Sequence, residues 1–352
     1  MAEQPVEYPM IKPQRLQSGD TIALVSPSWG GPSYFPDVFD NGVRCLQEDF
    51  GLRVREFPTA RMPADTIYQH PELRARDIND AFADPKVRGI ITSIGGDDSI
   101  RILPFLDLDA IKANPKLIMG YSDSTAFLAY LNLHGLVTFH GPSVMAGFSY
   151  LRNFPEAMAE YQQVLLQNQA ISLRPFPQWA DSYQPWGPAE HIGQVAELRS
   201  DDIGHRWIQH GAKSSGRLWG GNIEVLEMMK ATLAWPAPDF WQNRVLFLET
   251  SEDKPSPVQV GFMLRNYGMQ GVFNAISGLL VARPKGYTSQ EKAELDQEIL
   301  RIVAGEFGAD HLNIITNLDL GHTDPRHILP YGIPIELDPG TETLQLLEPP
   351  FV

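Results

Sequence analysis

Residues 117–125 read Leu-Ile-Met-Gly-Tyr-Ser-Asp-Ser-Thr, and these nine positions decide how the rest of the chain is organised. Leu117–Tyr121 is short and apolar, as a buried strand should be, and Ser124–Leu133 has helical spacing. The chain therefore passes from strand to helix through Ser122. Such a turn lifts a hydroxyl to the carboxyl edge of a sheet, where α/β proteins place their sites. It also aims the free backbone N–H groups of the helix start at any oxyanion formed there. The pattern departs from G-x-S-x-G because position 124 is Ser. Helix capping by Ser122 or Asp123 explains the same residues without any chemistry.

Outward from this point the strand–helix alternation repeats. Thr21–Ser28 (TIALVSPS), Leu52–Phe57, Val87–Ile94 and Val137–His140 read as further strands. Asp37–Phe50 carries Val38, Val43, Leu46 and Phe50 at helical spacing. Pro71 stands where the first residue of another helix belongs, with Leu73, Ile78, Ala81 and Phe82 on one face. Strands separated by helices of this length imply βαβ units and a mostly parallel sheet covered on both faces. Between about Tyr150 and Gly216 the periodicity dissolves, and Arg174–Pro188 (RPFPQWADSYQPWGP) is rich in Pro and Trp. The alternation then resumes: Ser215–Gly221 as strand, Asn222–Thr232 as helix, Arg244–Leu248 as strand and a helix near Val258–Gly268. Ala275–Val281 is strand again, Ser289–Phe307 a long helix with Ser289 as its cap, and Leu312–Thr316 a last strand. The expected fold is α/β in two domains. An N-terminal domain spans residues 1–165, a linker with the Pro/Trp-rich loop spans 166–215, and a smaller C-terminal α/β domain spans 216–352, with the site between them.

Composition narrows the function. The 352 residues include 28 Lys+Arg against 43 Asp+Glu, a net charge of −15, which argues against a nucleic-acid polymer or an anionic membrane as partner. The single Cys45 excludes a disulfide framework and a Cys-rich zinc site. Met1–Asp20 has no apolar core of a leader, and no run of about 18 apolar residues exists, so a cytoplasmic protein is expected. A GxGxxG after the first strand, a GxxxxGK[ST] and an HExxH are all absent, so neither cofactor nor metal is expected. His205 and His210, like His322 and His327, are five apart and do not share a helical face. That leaves a metal site open only if distant segments assemble it. A homodimer is likewise left open.

A Ser nucleophile needs a base, and the base needs an orienting acid. His322 follows a strand, and Gly321 permits a tight approach, although a surface-loop histidine is the commoner fate. Glu249 ends the apolar strand Val245–Leu248 at the same sheet edge, with Glu252 and Asp253 as nearby rivals. Gly95-Gly96, closing the third strand, would let backbone N–H groups approach a substrate, or would make an ordinary βα turn.

Five blocks in order then meet a known pattern: Gly95-Gly96-Asp97-Asp98-Ser99 with Leu103-Pro104; Gly120-Tyr121-Ser122-Asp123; Leu218-Trp219-Gly220-Gly221-Asn222; Leu246-Phe247-Leu248-Glu249; and Gly321-His322 with Leu329-Pro330-Tyr331-Gly332. From about Gly19 to Asp338 the chain resembles the LD-carboxypeptidase family of serine peptidases. The resemblance implies a Ser122–Glu249–His322 triad, an acyl-enzyme, oxyanion donors from the backbone of Asp123 and the Gly96 region, and no cofactor. It further implies a small peptide or peptidyl-nucleotide substrate. The Gly-Gly-Asp-Asp-Ser block is more similar to the branch of the microcin C self-immunity peptidase, which cleaves an amide between a peptidyl or aminoacyl group and a modified nucleotide. In that branch Asp97 would belong to the substrate site, and one of Phe176, Trp179 and Trp186 would stack on the base. The same rings also suit plain packing of the linker. The alternative within the family is release of a terminal D-alanine from cell-wall tetrapeptides. The alternative outside it is a non-catalytic small-ligand binding protein of periplasmic-binding type.

Overall fold

In the computed structural model, which describes residues 10–352, five early strands lie side by side: β1 (Thr21–Val25), β2 (Arg53–Glu56), β3 (Val87–Thr92), β4 (Leu117–Gly120) and β5 (Phe139–His140). Met1–Pro9, part of the stretch read above for a leader, lie outside the described residues. The strands are parallel in the order β2-β1-β3-β4-β5. The central ones bury both faces, and so their sequences are continuous apolar runs. At the edge, β2 (RVRE) is mostly exposed and charged, which discourages further strand pairing. Strand order reverses between β1 and β3, and the crevice outside their carboxyl ends is where such sheets hold ligands.

The Pro/Trp-rich region contains a small antiparallel pair, β6 (Gln178–Trp179) with β7 (Arg199–Ser200). A second sheet follows, built from β8 (Arg206–Gln209), β9 (Ser214–Asn222), β10 (Arg244–Glu249), β11 (Gly278–Ala282) and β12 (Asn313–Leu318). Strands β9 to β12 run parallel and β8 closes one edge antiparallel. The chain then crosses to the first sheet, where β13 (Leu329–Pro330) pairs antiparallel with β5. It returns as β14 (Pro334–Asp338) and β15 (Thr343–Leu346) on the free edge of the second. Residues 319–328 therefore bridge the two sheets, fully buried, and they carry His322.

Local sequence explains most helix starts. Pro36 and Pro71 open the helices Pro36–Glu48 and Pro71–Ala83. The helix Ser289–Leu300 is capped by Thr288 rather than Ser289. The reciprocal bonds of a capping box need Glu291 three residues beyond the cap, a spacing Thr288 has and Ser289 lacks. Its continuation, Arg301–Glu306, is a π-helical turn. The segment after Arg174 packs along the crossing loop: Ala180 N donates to Asp324 O (2.7 Å) and Asp324 N to Ala180 O (2.9 Å).

Candidate functional site

Four chain segments meet at the facing carboxyl edges of the two sheets. β4 ends in Tyr121 and Ser122, β3 in Gly95-Gly96, β10 in Glu249, and β12 leads to Gly321-His322. Ser122 adopts φ +58°, a left-handed conformation that a side-chain-bearing residue rarely takes and that costs about 1–3 kcal/mol. The strain turns its hydroxyl out of the sheet just before the helix Thr125–Leu133. Ser124 turns the other way: it is fully buried, packed beneath Gly120, where an added Cβ would come within 2.7 Å of its Oγ.

His322 Nε2 lies 3.1 Å from Ser122 Oγ, and His322 Nδ1 lies 2.5 Å from Glu249 Oε2. Glu249 is fully buried and His322 nearly so. Gly321 permits this approach, since a Cβ there would sit 3.0 Å from Glu249 Cβ and 2.8 Å from Ala282 Cβ. Glu252 does not compete for Nδ1. It reaches the other nitrogen, its Oε2 3.0 Å from Nε2, with a side chain 58% exposed. Burial pulls the imidazole's pKa down, but the charge and hydrogen bond of Glu249, joined by Glu252, outweigh it and push His322 up to about 9. The contact with His322 in turn holds Glu252 down at about 2. The imidazolium form thus adds stability that is complete below its ordinary 6.5 and is lost as pH rises through about 9. Glu252 is held from behind: Glu224 Oε1 accepts from Ser251 N (3.0 Å) and Oγ (2.6 Å).

Gly95 and Gly96 lie close beside Ser122 and Ser28. An added Cβ on Gly95 would come 2.9 Å from Ser122 Cβ and 3.4 Å from Asp123 N, so any side chain there would cover that donor. Gly96 has φ +155°, and a Cβ there would lie 2.1 Å from Ser28 Oγ. Asp123 ties these loops together. Its Oδ2 accepts from Ser28 Oγ (2.6 Å) and Ser99 N (2.7 Å), and its backbone O accepts from Ser99 Oγ (2.6 Å). Burial raises the Asp123 carboxyl's pKa against the lowering effect of these bonds. Asp97 stands exposed at the rim, whereas Asp98 is paired bidentately with buried Arg74.

The three aromatic rings of the Pro/Trp-rich segment part company. Phe176 is buried and stacked on His327 at 4.5 Å. Trp179 is buried on the second sheet's side, with Arg283 (4.5 Å) and Lys292 (4.8 Å) over its ring. Trp186 is half-buried, stacked on Tyr183 (4.8 Å, 14°) and edge-on to Phe35 (5.4 Å). Tyr183 sits close enough to Glu252 that this carboxylate, after burial itself, helps raise its phenol. Of the three, Trp186 is the one stacked on Tyr183, the ring that senses Glu252.

Two supports for the site carry no signal in the sequence. His140, at the end of β5, donates Nε2–H to Leu320 O (2.6 Å) and is held neutral by burial, its pKa lowered to about 4. Buried Arg326 donates to Gly321 O (2.9 Å) and Ala146 O (2.7 Å) and lies 3.8 Å over the Tyr121 ring. Together they pin the His322 loop to the first sheet. Of these three hydrogen bonds one joins residues 5 apart in sequence and two join residues 180 apart, so no local pattern reports the long-range ones.

Residues 22–141 match the model of the LD-carboxypeptidase N-terminal domain, and residues 215–337 match that of the LD-carboxypeptidase C-terminal domain. Among curated proteins the chain is 27% identical over 343 residues to the microcin C7 self-immunity protein MccF of Escherichia coli, covering 95% of this chain and 94% of that one. It is 25% identical over 335 residues to a probable murein peptide carboxypeptidase of Bacillus subtilis, covering 94% and 93%. Among solved structures, an MccF-like protein from Streptococcus pneumoniae in complex with AMP superposes with a TM-score of 0.82 at 27% identity, covering 93% of this chain and 98% of that one. Among the described residues, no helix is long and apolar enough to cross a membrane.

Proposed function

The chain belongs to the LD-carboxypeptidase family of serine peptidases, and from that premise we propose that Ser122, His322 and Glu249 form its catalytic triad and cleave the amide joining an aminoacyl or peptidyl group to a nucleotide. The observation that carries the triad is the line from Ser122 Oγ through His322 Nε2 and Nδ1 to Glu249 Oε2, with contacts of 3.1 and 2.5 Å. Ser122 Oγ attacks the scissile carbonyl while His322 Nε2 takes its proton. The N–H groups of Asp123 and Gly96 receive the developing oxyanion. His322 then protonates the leaving nitrogen, and water, deprotonated by the same imidazole, hydrolyses the ester on Ser122. Glu249 keeps Nδ1 protonated throughout and stabilises the imidazolium.

Glu252 adds to Glu249 in setting the pH range of this reaction. Only neutral His322 accepts the Ser122 proton, and Glu252 favours the charged form by occupying Nε2. The acid limb of kcat/KM in the free enzyme therefore falls as the imidazole protonates below about 9. Glu252→Gln removes one of the charges holding the proton, so the limb should move to lower pH. At pH 7 kcat/KM should rise a few-fold, and at most about tenfold, because an exposed carboxylate is well screened. A pH–rate profile checks this; an unmoved or upward-shifted limb contradicts it.

The nucleotide reading is supported by the similarity to an AMP-bound structure and by the half-buried ring of Trp186, stacked on the Tyr183 that senses Glu252. Trp186→Ala should cost roughly 1–3 kcal/mol of base stacking, about a five- to two-hundred-fold loss in kcat/KM on an aminoacyl-sulfamoyl adenosine. The loss should nearly vanish on an L,D-tetrapeptide, which has no flat π-face. Trp179→Ala should affect both substrates alike, because that ring is occupied by cations. A panel offering the nucleotide, the tetrapeptide and a plain peptide decides the branch. Turnover of the tetrapeptide alone, with equal effects of Trp186→Ala on both, transfers the assignment to the second reading: release of D-alanine from cell-wall peptides, which the likeness to a murein peptide carboxypeptidase supports.

A further inference from the structure

Beneath the His322 loop, on the side away from Ser122, three segments bring His205, Asp319 and His327 together, each with a ligand-type atom within 4.8 Å of the others. Both imidazoles present an Nε2 that is buried and without a hydrogen-bond partner among the described residues. His327 is itself fully buried. An unpartnered buried nitrogen is costly, and two at one point are not accounted for by packing. On its far side His327 Nδ1 meets the Glu160 carboxylate at 2.9 and 3.0 Å. With Nδ1 turned to that carboxylate, Nε2 is the nitrogen that faces the cluster, the orientation a carboxylate gives a metal-binding histidine.

We propose that His205, Asp319 and His327 form a structural site for one divalent transition-metal ion, zinc foremost, with Glu160 orienting His327 from behind. Two imidazoles and one carboxylate suit zinc and disfavour magnesium or calcium, which prefer all-oxygen shells. Asp319 is partly engaged: Oδ1 accepts from Arg283 (2.6 Å) and Oδ2 from Phe176 N (3.0 Å), leaving lone pairs on each oxygen. The charges favour a dication. Asp319, Asp201 and Glu160 are three carboxylates, and Arg283 is the one guanidinium bonded to any of them among the described residues. Leaving the imidazoles aside, these groups carry two negative charges, which one divalent ion balances. Zinc bonds of about 2.0–2.2 Å hold tetrahedral ligands roughly 3.4 Å apart, so the cluster must close by somewhat more than an ångström. His205, on the least buried of the three segments, supplies that movement. A surface groove is lined by Glu160, Arg174 and Phe176, of which Glu160 bonds His327 and Phe176 stacks on it. Asp319 and His327 bracket His322 in the chain, so a bound ion would tie down both ends of the loop that carries it.

The test uses the whole chain. Zn²⁺ is titrated calorimetrically, and Co²⁺ is added separately to read its visible absorption. The expected result is one saturable zinc equivalent, a raised thermal midpoint and the intense bands of tetrahedral cobalt. His205→Ala should abolish the saturable site and the thermal shift. Glu160→Gln, at the groove and less disruptive to folding, should weaken binding about 10–100-fold. Two outcomes overturn the proposal. One is no stoichiometric binding by the wild type. The other is binding unchanged in both variants, which assigns the ion to surface histidines.

Discussion

Ser122→Ala is expected to lower kcat by roughly a thousandfold to a millionfold, while the thermal midpoint stays within a degree or two of wild type. The asymmetry follows from what the hydroxyl does. In the proposed mechanism it forms the acyl bond, so its removal leaves only the proposed oxyanion donors and substrate binding to accelerate attack by water. Its structural contribution is one hydrogen bond of 3.1 Å to a histidine that keeps Glu249 and Glu252 as partners. Alanine retains the Cβ, so the strain at φ +58° is the same in the variant. The matched control is Ser124→Ala. That hydroxyl is buried and unpartnered among the described residues, so deleting it should be neutral or mildly stabilising and leave kcat intact. Activity of Ser122→Ala above about a tenth of wild type would remove Ser122 from the mechanism. Labelling by a fluorophosphonate gives a second readout: wild type and Ser124→Ala should react, and Ser122→Ala should not. A pure binding protein would label in none of them.

The parts of this site that could be read from sequence are those set by strand ends. Ser122, Glu249 and Gly95-Gly96 each close an apolar run, and apolar runs of four to eight residues bounded by Gly, Ser or charge are visible without a structure. Their position at carboxyl strand ends follows from the parallel topology that the same runs imply, although Glu249 stands on the second sheet, facing the first, rather than on the same sheet edge. His322 was a weaker inference from its own surroundings, since a Gly-His pair after a strand is common; the ordered blocks of the family raised it above eight other histidines. Three features were hidden. Glu252 looked like a rival orienting acid, but the bend at Ser251, fixed by Glu224, delivers it to Nε2 rather than Nδ1. The rings of Phe176, Trp179 and Trp186 sit in one short segment, yet composition has no period there to say which faces inward; Asp319 and the cations around Trp179 decide it. The His205–Asp319–His327 cluster draws on positions separated by more than a hundred residues, so spacing rules for single helices pass over it.

Glu249→Gln should lower kcat by roughly 10⁴-fold, nearly as much as loss of the nucleophile, and far more than Glu252→Gln. In the proposed mechanism the carboxylate 2.5 Å from Nδ1 does two things at once: it favours the tautomer with the proton on Nδ1, and it stabilises the charge that appears on the ring when Ser122 is deprotonated. Glutamine has the same shape and keeps one acceptor. Its amide can equally turn its NH₂ toward Nδ1, which drives the proton to Nε2 and leaves the base pointing the wrong way. Geometry favours that outcome, because the other oxygen, Oε1, is buried with no hydrogen-bond partner among the described residues, and an NH₂ placed there would have none either. The variant should therefore fold, bind substrate with a KM close to wild type, and fail in the chemical step. The pH profile adds a distinguishing mark. With Glu249 neutralised, the main influence holding His322 up near 9 is gone, so whatever activity remains should have its acid limb at markedly lower pH. Glu252→Gln should move the limb in the same direction but raise activity at neutral pH instead of destroying it. If the two variants exchanged behaviours, with Glu252→Gln inactive and Glu249→Gln mildly activated, Glu252 would be the orienting acid and the contact to Nδ1 merely structural. Measuring kcat, KM and the acid limb for both variants on one substrate separates the two assignments.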